Sequence, residues 1–433
     1  MSAVTYEAVS TASKEMYARA RAVLPGGNSR TAVYNSPYPI YAAAGQGCRV
    51  VDLDGTSRLD FLGNSTTLVH GHAHPEIVAA ISEAAARGTC FGLPTEAEVL
   101  FAEALCARSD AYERARFTSS GTEAVMMAVQ AARAHTGRPK IAKCAGSYHG
   151  AYDSVAVNND GSGSLISHSH TAGMPQAVLD NTIIIPFNDP EGATEVLRAH
   201  AGELACALID PVPWRSGLVP ATAEYIAALR AVCDETGVLL VSDEVGSFRA
   251  GFHGAIDAIG GVADLTVLGK VIGGGMPIGA VVGKAEVMAV FDPSEGKPKL
   301  PHSGSYNANP VSMSAGVASL RLLTEAEWKR IGGLGEQLRD TMRKTIADNG
   351  LDWEVNGVES LFRVVTGTVP DSSVNSARLG HLLFQELLLN GVLIGDSGLG
   401  CVSTPMGQQE VDTYAEAFDA AVGAVVEQAR AQG

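Results

Sequence analysis

The chain has 433 residues, too many for one compact core, so two or three domains sharing a large interior are expected. Hydrophobic residues make up 46% and charged residues 18%, which excludes extensive disorder. A formal net charge of −16 argues against nucleic acid or an anionic membrane as the main partner, because phosphate backbones need a basic face. No stretch approaches twenty uninterrupted apolar residues, and the first residues lack the basic-then-apolar pattern of a secretory signal. The seven cysteines are scattered and form no C-x-x-C pair, as expected of free thiols in a reducing cytoplasm.

In chain order, the first thirty residues predict an amphipathic helix from Tyr17 to Leu24 that ends at Pro25-Gly26-Gly27. Strand candidates follow at Ile40–Tyr41 and Arg49–Asp52. An Asp54-Gly55 turn joins the latter to Arg58–Phe61 as a hairpin. From residue 76 the texture alternates between helix and strand. Helix-like runs are Glu76–Arg87, Glu96–Arg108, Thr122–His135 and Ala223–Thr236. Apolar strand candidates are Arg114–Phe117, Lys140–Lys143, Thr182–Pro186, Cys206–Ile209, Val238–Ser242 and Leu265–Leu268. Strands apolar throughout and separated by helices imply a mostly parallel sheet covered on both faces. After residue 320, helix-rich sequence with strand candidates Leu361–Val365 and Val392–Ile394 implies a smaller α+β domain. The Ser-, Gly- and His-rich stretch 158–173 reads as a loop. The expected division is an N-terminal segment 1–75 packing with the small domain, a large α/β domain 76–320, and the small α+β domain 321–433.

Five local features carry chemistry. Phe117–Ala124 (F-T-S-S-G-T-E-A) runs a strand into a helix through Ser120, Gly121 and Thr122; the free amides there suit an anion such as phosphate, or the serine is an ordinary helix cap. In Gly146–Gly150 (G-S-Y-H-G), Tyr148 offers a flat face to a planar ring, or is a half-buried packing residue. Val238–Val245 (V-L-L-V-S-D-E-V) closes an apolar strand with two carboxylates at the end where open α/β sheets place ligands. A buried carboxylate needs a cation or strong donor, which a protonated pyridine, a metal ion or a helix N-terminus supplies. In Asp264–Pro277 (D-L-T-V-L-G-K-V-I-G-G-G-M-P), Lys270 follows a strand and precedes three glycines. Partial desolvation there favours the neutral, nucleophilic amine that a Schiff base needs, although a surface lysine on a glycine turn has the same look. It is not a phosphate-binding P-loop, because Asp264 and Val271 break that pattern. Finally, His302–Pro310 (H-S-G-S-Y-N-A-N-P) is a small-residue loop able to donate to an anion, or an ordinary polar loop. Phosphate cup, aromatic plate, acidic strand end and lysine, in that order, are what a pyridoxal 5'-phosphate site requires. The competing expectation is a metal site built on His70, His72 and His74, with His168 and His170 as further ligands.

With these motifs the sequence resembles the class III aminotransferases of pyridoxal-phosphate fold type I. The similar branch contains glutamate-1-semialdehyde aminomutase and β-phenylalanine aminotransferase. The likeness runs from Pro25 to Leu320 and more weakly onward. It implies that Lys270 is the Schiff-base (aldimine) lysine and proton shuttle, and that Asp243 pairs with the pyridine N–H. It implies that Val245 packs on the ring, Tyr148 stacks on it, and Ser120, Gly121 and Thr122 hold the phosphate. Ser305 stands where the family has a threonine that reaches the neighbouring subunit's phosphate, implying a homodimer with active sites at the interface. Arg30, in P-G-G-N-S-R, matches an arginine that grips a substrate carboxylate.

The implied activity moves an amino group from a carboxylate-bearing, β-type amino acid or amine to a 2-oxo acid acceptor. A 2,1-aminomutase or epimerase uses the same site. Asp210-Pro211 stands where the family has E-P. Ser397–Gly400 lacks both the arginine of the β-phenylalanine enzyme and the acidic segment of the aminomutase, and Asn64–Thr67 replaces an aromatic-bearing stretch.

Overall fold

A computed structural model describes residues 5–159, 165–169 and 171–432. The chain forms two compact units, Met1–His74 with Lys329–Gly433, and Pro75–Trp328.

The second unit is built on seven strands: β1 (Arg114–Thr118), β2 (Lys140–Cys144), β3 (Thr182–Ile185), β4 (Leu204–Ile209), β5 (Leu239–Asp243), β6 (Leu265–Gly269) and β7 (Gly279–Gly283). Their spatial order is β1-β7-β6-β5-β4-β2-β3. The neighbours from β3 through β6 are parallel, while β7 runs antiparallel between β6 and β1. The sheet is therefore mixed. The antiparallel β7, G-A-V-V-G between glycines, is absent from the strands expected from sequence.

Burial explains why these runs are apolar throughout. In β4 every residue is buried. Ala205, Cys206 and Leu208 join the core on one face, and Leu204, Ala207 and Ile209 join the core on the other. The helix Gly121–Thr136 covers the first face with Ala124, Val125, Ala128, Val129, Ala131 and Ala132. Ala223–Thr236 covers the second with Tyr225, Ile226, Leu229, Val232 and Cys233. Each large aliphatic side chain sequestered this way contributes about 1.5–3 kcal/mol. The boundaries of both helices are set locally. Ser120 and Thr222 cap the N-termini, accepting from the N–H groups of Glu123 and Tyr225, and left-handed Gly137 and Gly237 end the two helices. Helix Pro75–Arg87 packs on Pro310–Leu322 through Ile77, Ala315 and Ala318.

In the other unit, strands Ala42–Gln46, Arg49–Asp52 and Ser57–Asp60 pair antiparallel, and Val392–Leu393 joins Leu59–Asp60 in parallel. The Asp54-Gly55 hairpin is present, with Asp52 Oδ1 accepting from the N–H groups of Asp54 and Thr56. The strand expected at Ile40–Tyr41 begins instead at Ala42. The helix expected at Tyr17–Leu24 is Thr11–Arg21. Its start is fixed from a distance, because the Asp54 carboxylate accepts from the N–H groups of Ala12 and Ser13. A second sheet, Glu354–Asn356, Leu361–Val365 and Leu399–Cys401, is antiparallel. Phe61, Phe362, Tyr414 and Phe418 pack as an aromatic cluster in this unit.

Candidate active site

Four of the sheet's strands deliver their last residues to one edge. β1 leads into Ser119 and Ser120, β2 into the 146–150 loop, β5 ends on Asp243, and β6 leads into Lys270. This is the carboxyl edge of the parallel strands, where α/β sheets bind ligands.

The sequence-predicted residues of this edge are brought together. Ser120 is the N-cap of helix Gly121–Thr136, and its Oγ accepts from the Glu123 N–H at 3.2 Å. The Glu123 carboxylate reaches back to the Ser119 N–H at 2.7 Å. The serine is therefore a helix cap, and the first-turn amides of Gly121 and Thr122 face the open end of the helix without intrahelical partners. A Cβ on Gly121 would lie 2.8 and 2.9 Å from the two Val245 methyls, so the backbone approach there requires glycine. At Gly150, a Cβ would lie 2.5 Å from Thr122 Oγ1, which shows how closely the Tyr148 loop packs on the helix start. Tyr148 remains 40% exposed, leaving its ring available at the edge.

Asp243 is buried. Its Oδ1 accepts from the Val245 N–H at 3.1 Å, and its Oδ2 lies 2.7 Å from His149 Nδ1. Burial pushes the His149 imidazole below its usual pKa, opposed by the Asp243 charge, so a neutral ring donates Nδ1–H to the carboxylate. His149 Nε2 has no hydrogen-bond partner among the described residues. Asp210 follows β4, and the register Ile209↔Ser242 sets it beside Asp243. Its Oδ1 accepts from the Val212 N–H and Ser247 Oγ. Burial, then the Asp243 charge, raises its pKa. Lys270 has φ 47°, a left-handed conformation that costs a non-glycine residue about 1–3 kcal/mol and is held only where surrounding structure enforces it.

His149, Asp210 and Lys143 join the predicted set. Lys143 is buried and donates to the carbonyls of Ser147, Val155 and Val157 at 2.8, 3.2 and 2.7 Å. Burial pushes its pKa down to about 8. His149 lies in an irregular loop, where neighbouring side chains follow no fixed alternation, so its burial against Asp243 was not legible from sequence. Nothing in the sequence marks Lys143 as buried.

Two further predicted residues belong to other segments. Ser305 is exposed on the 302–310 loop, its carbonyl accepting from Cys90 Sγ, and it lines a hollow of about 300 Å³ with Phe91, Arg116 and His302. From the same loop it is Asn307 that touches Ser119, at 3.5 Å. Arg30 belongs to the first unit, where its Nη1 donates to Asn64 Oδ1 at 2.6 Å. Of the histidines in the metal alternative, His72 Nε2 lies 2.7 Å from Asp60 Oδ2 and His70 Nδ1 contacts Thr404 Oγ1. His170 lies outside the described residues. Among the described residues no group of three His, Cys, Asp or Glu is placed to hold a metal ion.

Helix-start amides over a glycine floor, a buried carboxylate and a strand-end lysine form a donor set that fits pyridoxal 5'-phosphate, and they define a pyridoxal-phosphate-dependent enzyme of fold type I. The chain belongs to the class-III aminotransferase family, whose model matches residues 31–416. A solved structure titled a transaminase with pyridoxal phosphate bound is 62% identical, with a TM-score of 0.96, covering 98% of this chain and 99% of that one. An omega-transaminase from Sphaerobacter thermophilus is 44% identical with a TM-score of 0.92, covering 97% and 98%. The glutamate-1-semialdehyde 2,1-aminomutase of Methanothermobacter thermautotrophicus is 37% identical over 415 residues, 94% of this chain and 98% of that protein. Further relatives at 33–40% identity carry the same name.

Proposed function

We propose that this chain moves an amino group between small carboxylate-bearing molecules, with Lys270 as the residue that attaches the cofactor and shuttles the proton. The observation that carries it is the placement of Lys270 and Asp243 at the carboxyl ends of adjacent parallel strands, in the register Asp243↔Val267. When bound, pyridoxal phosphate supplies an aldehyde for amine attachment and a ring that accepts the electrons left by a departing proton. The Asp243 carboxylate, oriented by His149, keeps the proton on the ring nitrogen. Gly121 and Thr122 N–H groups, with Ser120, take the phosphate. Val245 and Tyr148 enclose the ring. Lys270 Nζ, the group that would attach the cofactor, would also take a proton from the substrate carbon and return one elsewhere. Arg30 binds the substrate carboxylate, held by Asn64.

Two routes use this machinery. Transfer to a separate acceptor is supported by the likeness to a transaminase and an omega-transaminase at 62% and 44% identity, and a β-type donor by the likeness to the β-phenylalanine aminotransferase of Variovorax paradoxus at 33%. Internal transfer, as in a 2,1-aminomutase, has at least equal support, because curated relatives matching nearly the whole chain bear that name. Epimerisation shares the same first proton removal. One experiment separates them. Glutamate-1-semialdehyde alone is converted if the chain is a mutase, whereas a transaminase turns over only when an amino donor and pyruvate or 2-oxoglutarate are both present. Failure of both, with the cofactor bound, sinks the amino-transfer proposal.

Supporting a homodimer are the exposed apolar Phe91, Leu93 and Tyr306 near Ser305, which in that assembly reaches the partner's phosphate. Seven free cysteines support a cytoplasmic setting. No helix among the described residues is long and apolar enough to cross a membrane.

A further inference from the structure

The turn Trp214–Ser216 follows β4 and Asp210 at the same sheet edge and was not among the motifs singled out from sequence. Arg215 lies on it with its guanidinium 4.0 Å over the Tyr148 ring and 5.1 Å from the Trp214 ring centroid. Tyr148 and Trp214 meet edge to face, with centroids 6.2 Å apart. Trp214 and Lys270 both face Gly246: a Cβ placed there would lie 3.5 Å from Lys270 Nζ and 4.0 Å from Trp214 Cδ1. The two carboxylates at the ends of β4 and β5 are engaged, Asp243 with His149 and Asp210 with Ser247. Among the described residues Arg215 makes ring contacts and no hydrogen bond or ion pair.

An arginine held over an aromatic ring, with no hydrogen bond or ion pair of its own among the described residues, keeps its N–H donors unspent. That is the arrangement for a bidentate grip on a carboxylate, with the stacking rings limiting the side-chain entropy lost on binding.

We propose that Arg215 is a carboxylate-recognition residue for the molecules that reach Lys270. This rests on the assignment of Lys270 as the reacting lysine. The ligand is a small organic acid, either the amino donor or the 2-oxo acid that follows it into the same site.

The test uses the full chain loaded with cofactor and titrated with glutarate, an unreactive dicarboxylate, by calorimetry. Arg215→Ala should weaken glutarate binding by about 10- to 100-fold, and Arg215→Lys should recover part of it, while the lysine-linked visible band is unchanged. In single-turnover bleaching of that band, Arg215→Ala should penalise β-phenylalanine and spare 1-phenylethylamine, which lacks the carboxylate. Glutarate affinity unchanged within about twofold, an equal penalty on acid and amine, or loss of the band would overturn the proposal. If the wild type forms no lysine-linked band, the Lys270 assignment fails instead. Glutarate calorimetry on the cofactor-free chain then decides whether Arg215 binds carboxylates.

Discussion

His149 Nδ1 lies 2.7 Å from Asp243 Oδ2, and both side chains are buried. A neutral imidazole thus fixes the orientation of the carboxylate assigned to the cofactor ring. His149→Ala removes one of two donors to Asp243 and should lower kcat by about 10- to 100-fold, with His149→Asn recovering part. Because burial depresses its pKa in the fold, the stability it contributes is present above about pH 6.5. That share is lost as pH falls, when the unfolded imidazole takes a proton that the folded one refuses. A melting series from pH 8 to pH 5 should therefore be shallower in His149→Ala.

Gly121→Ala should weaken pyridoxal phosphate binding by about 5- to 100-fold, measured by titrating the cofactor-free chain. The added methyl would meet the Val245 methyls at 2.8 and 2.9 Å, forcing apart the helix start and the valine proposed to pack on the cofactor ring. Unchanged affinity would place the phosphate elsewhere.

Lys143→Met should lower the unfolding free energy by at least about 3 kcal/mol in denaturant melts. The isosteric change leaves the carbonyls of Ser147, Val155 and Val157 without their buried donor. Ser147 adjoins Tyr148, so cofactor affinity should fall with it.

Glu244 makes the fold sensitive to alkaline pH. It is buried, accepts from the N–H groups of Ala255 and Ile256 and from Ser242 Oγ, and burial pushes its pKa from 4.5 to about 7. A raised carboxyl pKa means that the folded state prefers the neutral acid. The associated stability is full below about pH 4.5 and is lost as pH rises through about 7. Glu244→Gln should be less stable overall, through the lost acceptor, and its melting temperature should fall less between pH 5 and pH 8.

Much of this architecture was legible from residue order alone. The helix Ala223–Thr236 and the apolar strands were visible because each carries its own periodicity and punctuation. Asp243 and Lys270 stood out because a charge at the end of an apolar run is conspicuous. What escaped depends on distant contacts. The Thr11–Arg21 helix starts where Asp54 caps it, some forty residues away in sequence. β7 reads as a glycine-rich loop until β1 and β6 pair with its edges. Arg215 gains meaning only when the 146–150 loop sets Tyr148 beneath it.

The central claim is that Lys270 carries the cofactor. Borohydride reduction of the cofactor-loaded chain, followed by peptide mass spectrometry, tests it most directly. A reduced pyridoxyl adduct on Lys270, and none in Lys270→Ala, is the predicted result. An adduct on another lysine, or a visible band that survives in Lys270→Ala, would contradict it.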